Sequence, residues 1–319
     1  MRNIRLNTPV ELPKSNFGVS YHNRLLSLGS CFSSNIAEYL KLLRFHIVYN
    51  PFGPLYNPIS IARCLDRLQS GQPFGAQELF YFGGLYHSEL HHGSFSKTTI
   101  EETINVINTS LEEARNMYEQ CDRLIVTFGT SRVYRQISTG IVVGNCHKQP
   151  QNLFSQEDLP LDDMCSEWGN LLTKIMEDKP HLKVILTVSP IRHLGDGLVA
   201  NARSKSKLLL LCDYLAGLCP SRIEYFPSFE IMMDELRDYR YYAQDMKHPS
   251  DLAIEIICQR FLNQYINEET FLIFREVEAY NKLKSHRIMH EGSEEAQKHL
   301  SEIEARAHCL KKKYPFLCL

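Results

Sequence analysis

The chain has 319 residues, of which 44% are hydrophobic, so it can bury the core of one large domain or two ordinary ones. Lysine plus arginine (35) nearly balances aspartate plus glutamate (37), which argues against a nucleic-acid-binding surface or an acidic tail. The N-terminal residues lack the apolar core of a secretory signal, and no run of about eighteen apolar residues occurs, so we expect a cytoplasmic protein without a membrane span.

Short apolar runs alternate along the chain with longer stretches of helical periodicity. In chain order, the pattern predicts strand 25–28, helix 36–43, strand 45–49, helices 59–69 and 100–120, strand 124–128, helix 165–178, strand 184–188, helix 206–218, strand 223–226 and helix 252–267. The predicted strands are continuous rather than alternating apolar runs, which is typical of parallel strands that are covered on both faces. The sequence therefore predicts an α/β fold, a three-layer α/β/α sandwich with a mainly parallel sheet.

Two segments interrupt this alternation, and a third follows it. Residues 71–98 and 135–164 carry glycine, aromatic residues and histidine with little helical period, so we expect them to fold over a site as loops or short ribbons. Beyond residue 275 the chain is charged and helical. We therefore predict a main domain over 1–275 and a helical C-terminal extension over 276–319, whose helices offer a surface for an oligomer.

The segment GSCFS at 29–33 stands where the first predicted strand gives way to a helix. Ligands bind outside the carboxyl ends of strands in such sheets, and the N–H groups of a helix start favour a thiolate and can hold an oxyanion. One interpretation is that Cys31 or Ser30 is a nucleophile. The other is that a serine caps the helix and Cys31 packs as a small apolar side chain.

Asp245 and His248 stand three residues apart in DMKHPS, after the last predicted strand. This spacing lets the carboxylate bind one imidazole nitrogen, while the other nitrogen takes a proton from a nucleophile. Because the loops after the first and last strands can converge on one cleft, we predict that this pair meets the GSCFS segment.

Over about residues 20–270 the chain resembles the GSCFA family, a group placed with the SGNH/GDSL-type hydrolases. The resemblance is carried by GSCFSSNIAEYL, NPFGPLYNPISIAR, VTFGTSRVY, GNCHKQP, TVSPIRH, DGLVANARSKSKL, YFPSFEIMMDELRDYRYYA and DMKHPS. It implies a flavodoxin-like SGNH fold, and hydrolysis or transfer of an acyl group as the chemistry.

The same resemblance implies roles for individual residues. On the glycine–aspartate–serine turn of the wider class, Gly29 matches the glycine, Ser30 the aspartate and Cys31 the nucleophilic serine. The attacking atom would then be sulfur, with the Ser30 hydroxyl as the alternative. His248 would be the base, and Asp245 would orient it.

The resemblance also implies an oxyanion site. The glycine of that site corresponds to Gly53 in NPFGPLYNP, but the position of its asparagine is Ser131 in GTSRVY, which carries no amide. Asn145 or Asn50 could supply the amide from elsewhere, and Asn50 is also a candidate substrate ligand.

Other polar residues could face the same cleft. His147, Arg192 and His193 follow strand or insertion ends and are candidate substrate ligands. Arg192 could hold a carboxylate or phosphate, or could pair with a structural acid such as Asp196 or Asp234. Lys205 is expected to brace a loop by charge pairing.

The sequence predicts no metal and no cofactor. His87, His91 and His92 lie in a glycine-rich insertion where Glu89 is the one acidic partner at ligand spacing, and they are expected to line or cover the cleft. The ten cysteines include no Cys-x-x-Cys pair, which indicates free thiols rather than disulfides or structural zinc.

These features predict an acyl hydrolase or acyltransferase whose substrate is an ester of a small molecule or of a carbohydrate. The alternative is a ligand-binding module with the same fold and no turnover, since Ser131 replaces the expected asparagine.

Overall fold

Five parallel strands form a sheet between two layers of helices in the computed structural model, which describes residues 7–286 and 293–317. The strands are β1 (Arg24–Gly29), β2 (His46–Tyr49), β3 (Leu79–Phe82), β4 (Leu85–Ser88), β5 (Arg123–Phe128), β6 (Arg132–Gln136), β7 (Val142–Val143), β8 (Phe154–Asp158), β9 (Lys183–Val188) and β10 (Ile223–Phe226). The helices are α1 (Cys31–Leu42), α2 (Pro58–Ser70), α3 (Ile100–Gln120), α4 (Leu161–Asp178), α5 (Gly197–Leu218), α6 (Ser228–Glu230), α7 (Asp251–Tyr265), α8 (Glu268–Ser285) and α9 (Glu294–Lys313).

The central sheet has the strand order β10-β9-β5-β1-β2, and every pair in it is parallel. Its strands are the five that the apolar runs predict. The chain passes from β1 outward to β2 and then returns to the other side of β1 as β5, so the direction of strand order reverses between β1 and β5. Loops diverge at such a reversal and leave a crevice at the carboxyl ends of the strands, where ligands bind in open α/β sheets.

Alternate side chains of each strand point to opposite faces of the sheet and build two cores. Leu124 and Val126 of β5 pack with α2, α3, α4 and α5, whereas Ile125 between them packs with α1, α7 and α8. Both faces are therefore covered, which confirms the three-layer α/β sandwich.

Helix α5 begins at Gly197, nine residues before the predicted start. Its first turns bury polar side chains, among them Asn201, Ser204 and Lys205. A buried face made of polar residues lacks the apolar period on which the prediction depends, so the sequence pattern reveals only the second half of this helix.

The two insertions form short antiparallel ribbons, in agreement with the prediction. The first contains the β3–β4 hairpin, and the second contributes most of a three-stranded sheet with the order β7-β6-β8. In this second sheet, β6 begins at Arg132, shortly before the predicted insertion.

The C-terminal region is helical, but its first helix packs on the main domain. The predicted boundary near residue 275 falls inside α8, whose Ile273, Phe274 and Val277 join the core on the α1 and α7 side of the sheet. Residues 1–6 of the predicted main domain, and residues 287–292 and 318–319 of the predicted extension, lie outside the described residues. No helix in the described ranges is long and apolar enough to cross a membrane.

Candidate active site

A cleft of about 670 Å³ lies at the carboxyl ends of β1, β5 and β9. Small-molecule sites commonly fall between about 300 and 1,000 Å³ and at this edge of a parallel sheet. The second antiparallel ribbon forms one wall of the cleft, through Val133, Tyr134 and Gln156. The opposite side is lined by Ser30, Cys31, Tyr56, Thr130, the segment 191–196, Lys247 and His248.

The turn that leads from β1 into α1 is held by close packing. Gly29 has φ +137°, and a Cβ atom built there would lie 2.1 Å from the Thr127 carbonyl oxygen of β5, so only glycine fits this close approach. Asn50 accepts a hydrogen bond from the Gly29 N–H at 2.9 Å and donates one to the Ser34 hydroxyl at 2.8 Å. These contacts fix the backbone that presents Cys31 as the first residue of α1.

Ser30 and Cys31 both line the cleft but differ in exposure and in their partners. Ser30 is the N-cap of α1, is fully buried, and accepts a hydrogen bond from the Phe32 N–H at 3.3 Å. Cys31 is only partly buried, and its Sγ lies 3.1 Å from the Tyr56 hydroxyl. The cap of the helix is therefore Ser30, and Cys31 is the more exposed of the two side chains.

Asp245 and His248 form a hydrogen-bonded pair at the edge of the cleft. The Asp245 Oδ2 and His248 Nδ1 atoms are 2.5 Å apart, and about half of each side chain is exposed. Asp245 Oδ1 also accepts the N–H groups of His248 and Lys247, and these bonds hold the pKa of the Asp245 carboxyl well below its usual range. With the carboxylate on Nδ1, the Nε2 atom of His248 remains available for proton transfer.

Arg192 braces the loop that carries this pair. Its guanidinium lies over the Tyr242 ring, 4.2 Å from the ring centroid, and donates to the Met246 carbonyl at 2.5 Å. Its backbone N–H donates to the Lys247 carbonyl at 3.2 Å. The expected acidic partners, Asp196 and Asp234, are thus replaced by carbonyl oxygens and an aromatic face, although Arg192 also borders the cleft.

His193 lies inside the cleft as a neutral imidazole. Burial lowers its pKa to about 4, with the charges of Lys205 and His248 acting in the same direction. Its ring meets the Tyr56 ring edge to face, with 5.6 Å between centroids. His193 therefore lies between Tyr56 and His248 as a contact candidate for a bound molecule.

Four predicted oxyanion and ligand residues, Gly53, Ser131, Asn50 and His147, are not among those that line the cleft. The Gly53 N–H donates to the Asn50 carbonyl at 2.7 Å, and Gly53 borders a separate small void with Asn50. Ser131 is fully buried, and its hydroxyl donates to Asp158 Oδ1 at 2.7 Å. The peptide N–H of Gly53 and the side chain of Ser131 are thus occupied by internal hydrogen bonds, whereas Asn50 supports the turn before Cys31.

Asn145 and His147 are close in sequence but face different surroundings. Asn145 lines the cleft, and its side-chain oxygen accepts the His147 N–H at 2.8 Å. His147 is buried; its Nε2 donates to the Ser88 carbonyl at 2.8 Å, and burial lowers its pKa to about 4. His147 therefore supports the first insertion and does not line the cleft.

Histidines of the first insertion also pack against aromatic rings inside the protein and not in the cleft. The His87 ring is tilted against the His147 ring with 4.4 Å between centroids, and His91 is buried among the rings of Phe52, Phe74 and Phe95. None of the three histidines at 87, 91 and 92 lines the cleft. Within the described ranges, no group of three or more histidine, cysteine, aspartate or glutamate side chains could hold a metal ion.

Sequence reasoning missed several residues that line the cleft. Tyr56 lies in NPFGPLYNP, next to the predicted site residues Asn50 and Gly53, but no sequence pattern singles it out. Arg132 and Asp196 form an ion pair of 3.2 Å, and the Gln156 amide donates to the same carboxylate at 2.9 Å. This pairing joins the ribbon to the loop after β9, and no sequence spacing indicates a contact between residues so far apart.

The fold and the cleft define a parallel α/β protein with a cysteine, a histidine and an aspartate at the carboxyl edge of its sheet. The chain belongs to the GSCFA family, whose model matches residues 24–261. No curated protein matches. A solved structure described as "a putative platelet activating factor from Streptococcus pneumonia" is 14% identical, covers 75% of this chain and 84% of its own, and has a TM-score of 0.38, which is too low to carry an argument.

Proposed function

We propose that the protein is an SGNH-like acyl hydrolase or acyltransferase that uses Cys31 as its nucleophile and His248, held by Asp245, as its base. One observation carries this proposal: Cys31 and His248 border the same cleft although they are far apart in sequence. The Asp245–His248 distance of 2.5 Å supports an oriented imidazole.

The proposed reaction begins with proton transfer from the Cys31 thiol to His248 Nε2. The sulfur attacks the acyl carbon of an ester, and the carbonyl electron pair moves onto oxygen to give a tetrahedral oxyanion. When that oxyanion collapses, the bond to the alkoxide breaks, and the alkoxide takes the proton from His248. In the second half of the reaction His248 removes a proton from water, or from an alcohol or amine acceptor, as that molecule attacks the thioester carbonyl. When the second tetrahedral intermediate collapses, the C–S bond breaks, the Cys31 thiolate leaves, and it recovers the proton from His248.

The start of α1 supplies part of the proposed oxyanion site. The first amides of a helix have no carbonyl partner one turn earlier, and the N-terminal end carries a partial positive charge. The N–H groups of Phe32 and Ser33 already donate to the hydroxyl and the carbonyl of Ser30, so the proposed donor at this helix start is the N–H of Cys31 itself, aided by the partial positive charge.

The lining of the cleft supports a polar substrate such as an acylated carbohydrate, and it also includes the cationic side chains of Lys148, Arg192 and Lys247. Several carboxamide side chains border it, and they can both donate to and accept from hydroxyl groups. Apolar and aromatic side chains stand beside them, as expected where a sugar ring or acyl chain packs. The carboxamides are Asn57, Asn145, Gln149, Gln151 and Gln156, and the apolar residues include Val133, Tyr134, Phe154 and Ile191.

The proposal is tested by acylation with an activated ester such as p-nitrophenyl acetate, followed by mapping of the adduct by mass spectrometry. We expect the acyl group on Cys31, loss of the label in Cys31→Ala, and a large drop in its rate of formation in His248→Ala. Cys309 is an exposed thiol on α9 and serves as an internal control, because its labelling should not depend on His248.

The same experiment addresses the two alternatives. A label on Ser30 instead of Cys31 would move the nucleophile to the capping serine. No label on either residue, together with full reactivity of His248→Ala, would contradict the mechanism. Retention of an acyl or carbohydrate ligand without any product would instead support the binding module.

A further inference from the structure

The Tyr56 hydroxyl is the side-chain group that contacts the Cys31 sulfur. The two atoms are 3.1 Å apart, within hydrogen-bond range for sulfur, and both residues line the cleft. The contact links the loop after β2 with the start of α1. Tyr56 thus touches the atom that the proposed function makes the nucleophile.

Backbone contacts fix the position of Tyr56. Its carbonyl oxygen accepts the N–H groups of Gly129 at 2.8 Å and Thr130 at 2.9 Å, in the loop after β5. A Cβ atom on Gly129 would lie 3.0 Å from that oxygen, so the glycine permits the close approach. Asn57, the next residue, is the N-cap of α2 and accepts the Ser60 N–H at 2.8 Å. The tyrosine is therefore anchored on both sides and does not depend on substrate for its placement.

The Tyr56 hydroxyl keeps its proton. Burial raises the pKa of Tyr56 well above its ordinary value, and the hydrogen bond with Cys31 acts in the same direction. A protonated phenol beside a thiolate can act only as the donor of the shared hydrogen bond.

We propose that Tyr56 is a further catalytic residue, which donates a hydrogen bond to the Cys31 sulfur before attack and to the oxyanion of the tetrahedral intermediate after it. This inference rests on the proposed function. The oxyanion is two bonds from the sulfur, so a donor that already contacts the sulfur reaches the oxyanion by a small rotation.

The role fills a gap in the cleft. The asparagine that the resemblance places in an oxyanion site corresponds to Ser131, whose hydroxyl is bonded to Asp158 away from the cleft. The hydroxyl of Tyr56 offers a neutral donor within the cleft in place of that amide. Tyr56 forms no covalent bond and loses no proton in the reaction, so the bonds made and broken are those of the proposed mechanism.

Comparing two reactions of the Cys31 thiolate, acylation and alkylation, separates an oxyanion-donor role of Tyr56 from a merely structural one. Acylation of Cys31 by p-nitrophenyl acetate passes through an oxyanion, whereas its alkylation by iodoacetamide displaces iodide without one. Both rates scale with the amount of thiolate, so their ratio at one pH does not depend on any change in that amount. In Tyr56→Phe, which keeps the ring against His193, we expect the ratio of acylation to alkylation to fall about 10²-fold, as when one oxyanion donor is removed.

Tyr81→Phe is the matched control, because it removes the hydroxyl of an exposed tyrosine outside the cleft and should leave the ratio unchanged. Folding of Tyr56→Phe is checked in the same spectra, since the buried Cys64 and Cys212 react only in unfolded chains. A ratio equal to that of the unmodified protein, with acylation at Cys31 intact, overturns the role of Tyr56 alone. Alkylation of Cys31 without any acylation of the unmodified protein overturns the proposed function and this inference with it.

Discussion

At the scale of single residues, Asp245 controls both the shape and the charge of its loop. One carboxylate oxygen holds the N–H groups of Lys247 and His248, and the other holds the imidazole. The two backbone hydrogen bonds contribute most to lowering the pKa of Asp245, so its carboxyl remains ionised throughout the neutral and mildly acidic range. The carboxylate can therefore stabilise an imidazolium on His248 without taking its proton.

Asp245→Asn tests this assignment. The asparagine oxygen can still accept the two N–H groups, but its NH₂ group would face His248 Nδ1 and favour the wrong tautomer. We expect the rate of Cys31 acylation to fall by about 10²- to 10⁴-fold with little loss of stability. Stopped-flow measurement of acylation gives the rate, and Asp251→Asn at the start of α7 is the control. A rate equal to that of the unmodified protein would show that Asp245 has only a structural role.

Single residues also mark the limit of sequence reasoning in the site. GSCFS and Asp-x-x-His each have a recognisable local pattern, so Cys31 and His248 could be predicted to share the cleft that they line. Tyr56 has no such pattern, because its role depends on a 3.1 Å contact across 25 residues of chain. His147 shows the converse case. Its sequence position, a polar residue in a loop, predicts an exposed side chain, but its imidazole is buried.

At the scale of elements, the site depends on how tightly β1 and β5 approach where β1 ends. A Cβ atom on Gly29 would lie 2.1 Å from a carbonyl oxygen of β5, and the residue has a positive φ. Such an overlap with backbone cannot be relieved by a side-chain rotation. The turn before Cys31 is therefore specified by a glycine.

Gly29→Ala is expected to lower the free energy of unfolding by about 2 to 4 kcal/mol, because the methyl group forces the two strands apart. Gly217→Ala is the matched control, since nothing lies within 4 Å of a Cβ atom at this helical glycine. It should raise the free energy of unfolding by about 0.5 to 1 kcal/mol. Urea denaturation measures both changes, and equal effects of the two substitutions would contradict the packing argument.

Lys205 is a second element-level support beneath the cleft. It is fully buried in α5, and its Nζ donates to the carbonyls of Gly129 and Ser189 at 2.6 Å each. These carbonyls belong to the loops after β5 and β9, so the lysine ties the ends of two neighbouring strands together. The brace was predicted, but its partners are carbonyl oxygens and not the opposite charge that we expected.

Lys205→Met is expected to lower the free energy of unfolding by roughly 2 to 4 kcal/mol at neutral pH, because it leaves two buried carbonyls without a donor. Burial lowers the pKa of Lys205 to about 7 from an ordinary value of 10.5. Between these two values the unfolded chain binds more protons than the folded one, so stability increases with pH. The destabilisation caused by the substitution should therefore grow by up to about 1 kcal/mol per pH unit from pH 7 to 10.

Urea denaturation at several pH values measures this growth. Lys207→Met on the same helix is the control, because Lys207 is partly exposed and pairs with Asp158 at 2.9 Å. Its effect should be small and nearly constant over this pH range. A Lys205→Met effect that shrinks as pH rises would contradict the assigned direction of the pKa shift.

At the scale of the whole molecule, the sheet and most of its helices were predictable because the strands are largely continuous apolar runs and most helices have an apolar face, the first half of α5 being the exception. The five predicted strands are those of the central sheet, and both insertions contain short ribbons, but residues 71–98 do not line the cleft that they were expected to cover. The pairing of the ribbon with the loop after β9, through Arg132 and Asp196, was not predictable, since it joins segments that are distant in sequence. The charged composition of the C-terminal region likewise concealed which helix packs on the domain.

The two C-terminal helices differ in their attachment, and removing them in turn tests this difference. α8 buries Phe274, Val277 and Tyr280, whereas α9 is held mainly by Leu310 and by the Lys313–Glu276 pair of 2.6 Å. Nearby, the Phe316 carbonyl contacts His46 Nε2 at 2.7 Å, which ties the segment after α9 to β2.

A chain that ends at residue 286 should keep the fold and lose about 3 to 6 kcal/mol of stability, since it gives up a few buried apolar side chains and exposed pairs. A chain that ends at residue 267 should not unfold cooperatively, because the core on the α1 and α7 side is then open to water. Thermal unfolding followed by circular dichroism separates the two results. Size-exclusion chromatography of Leu300→Ser, which alters an exposed position of α9, tests the oligomer predicted for these helices. If the chain that ends at residue 267 instead unfolds with the stability of the full protein, α8 is an appended element and the boundary predicted near residue 275 is correct.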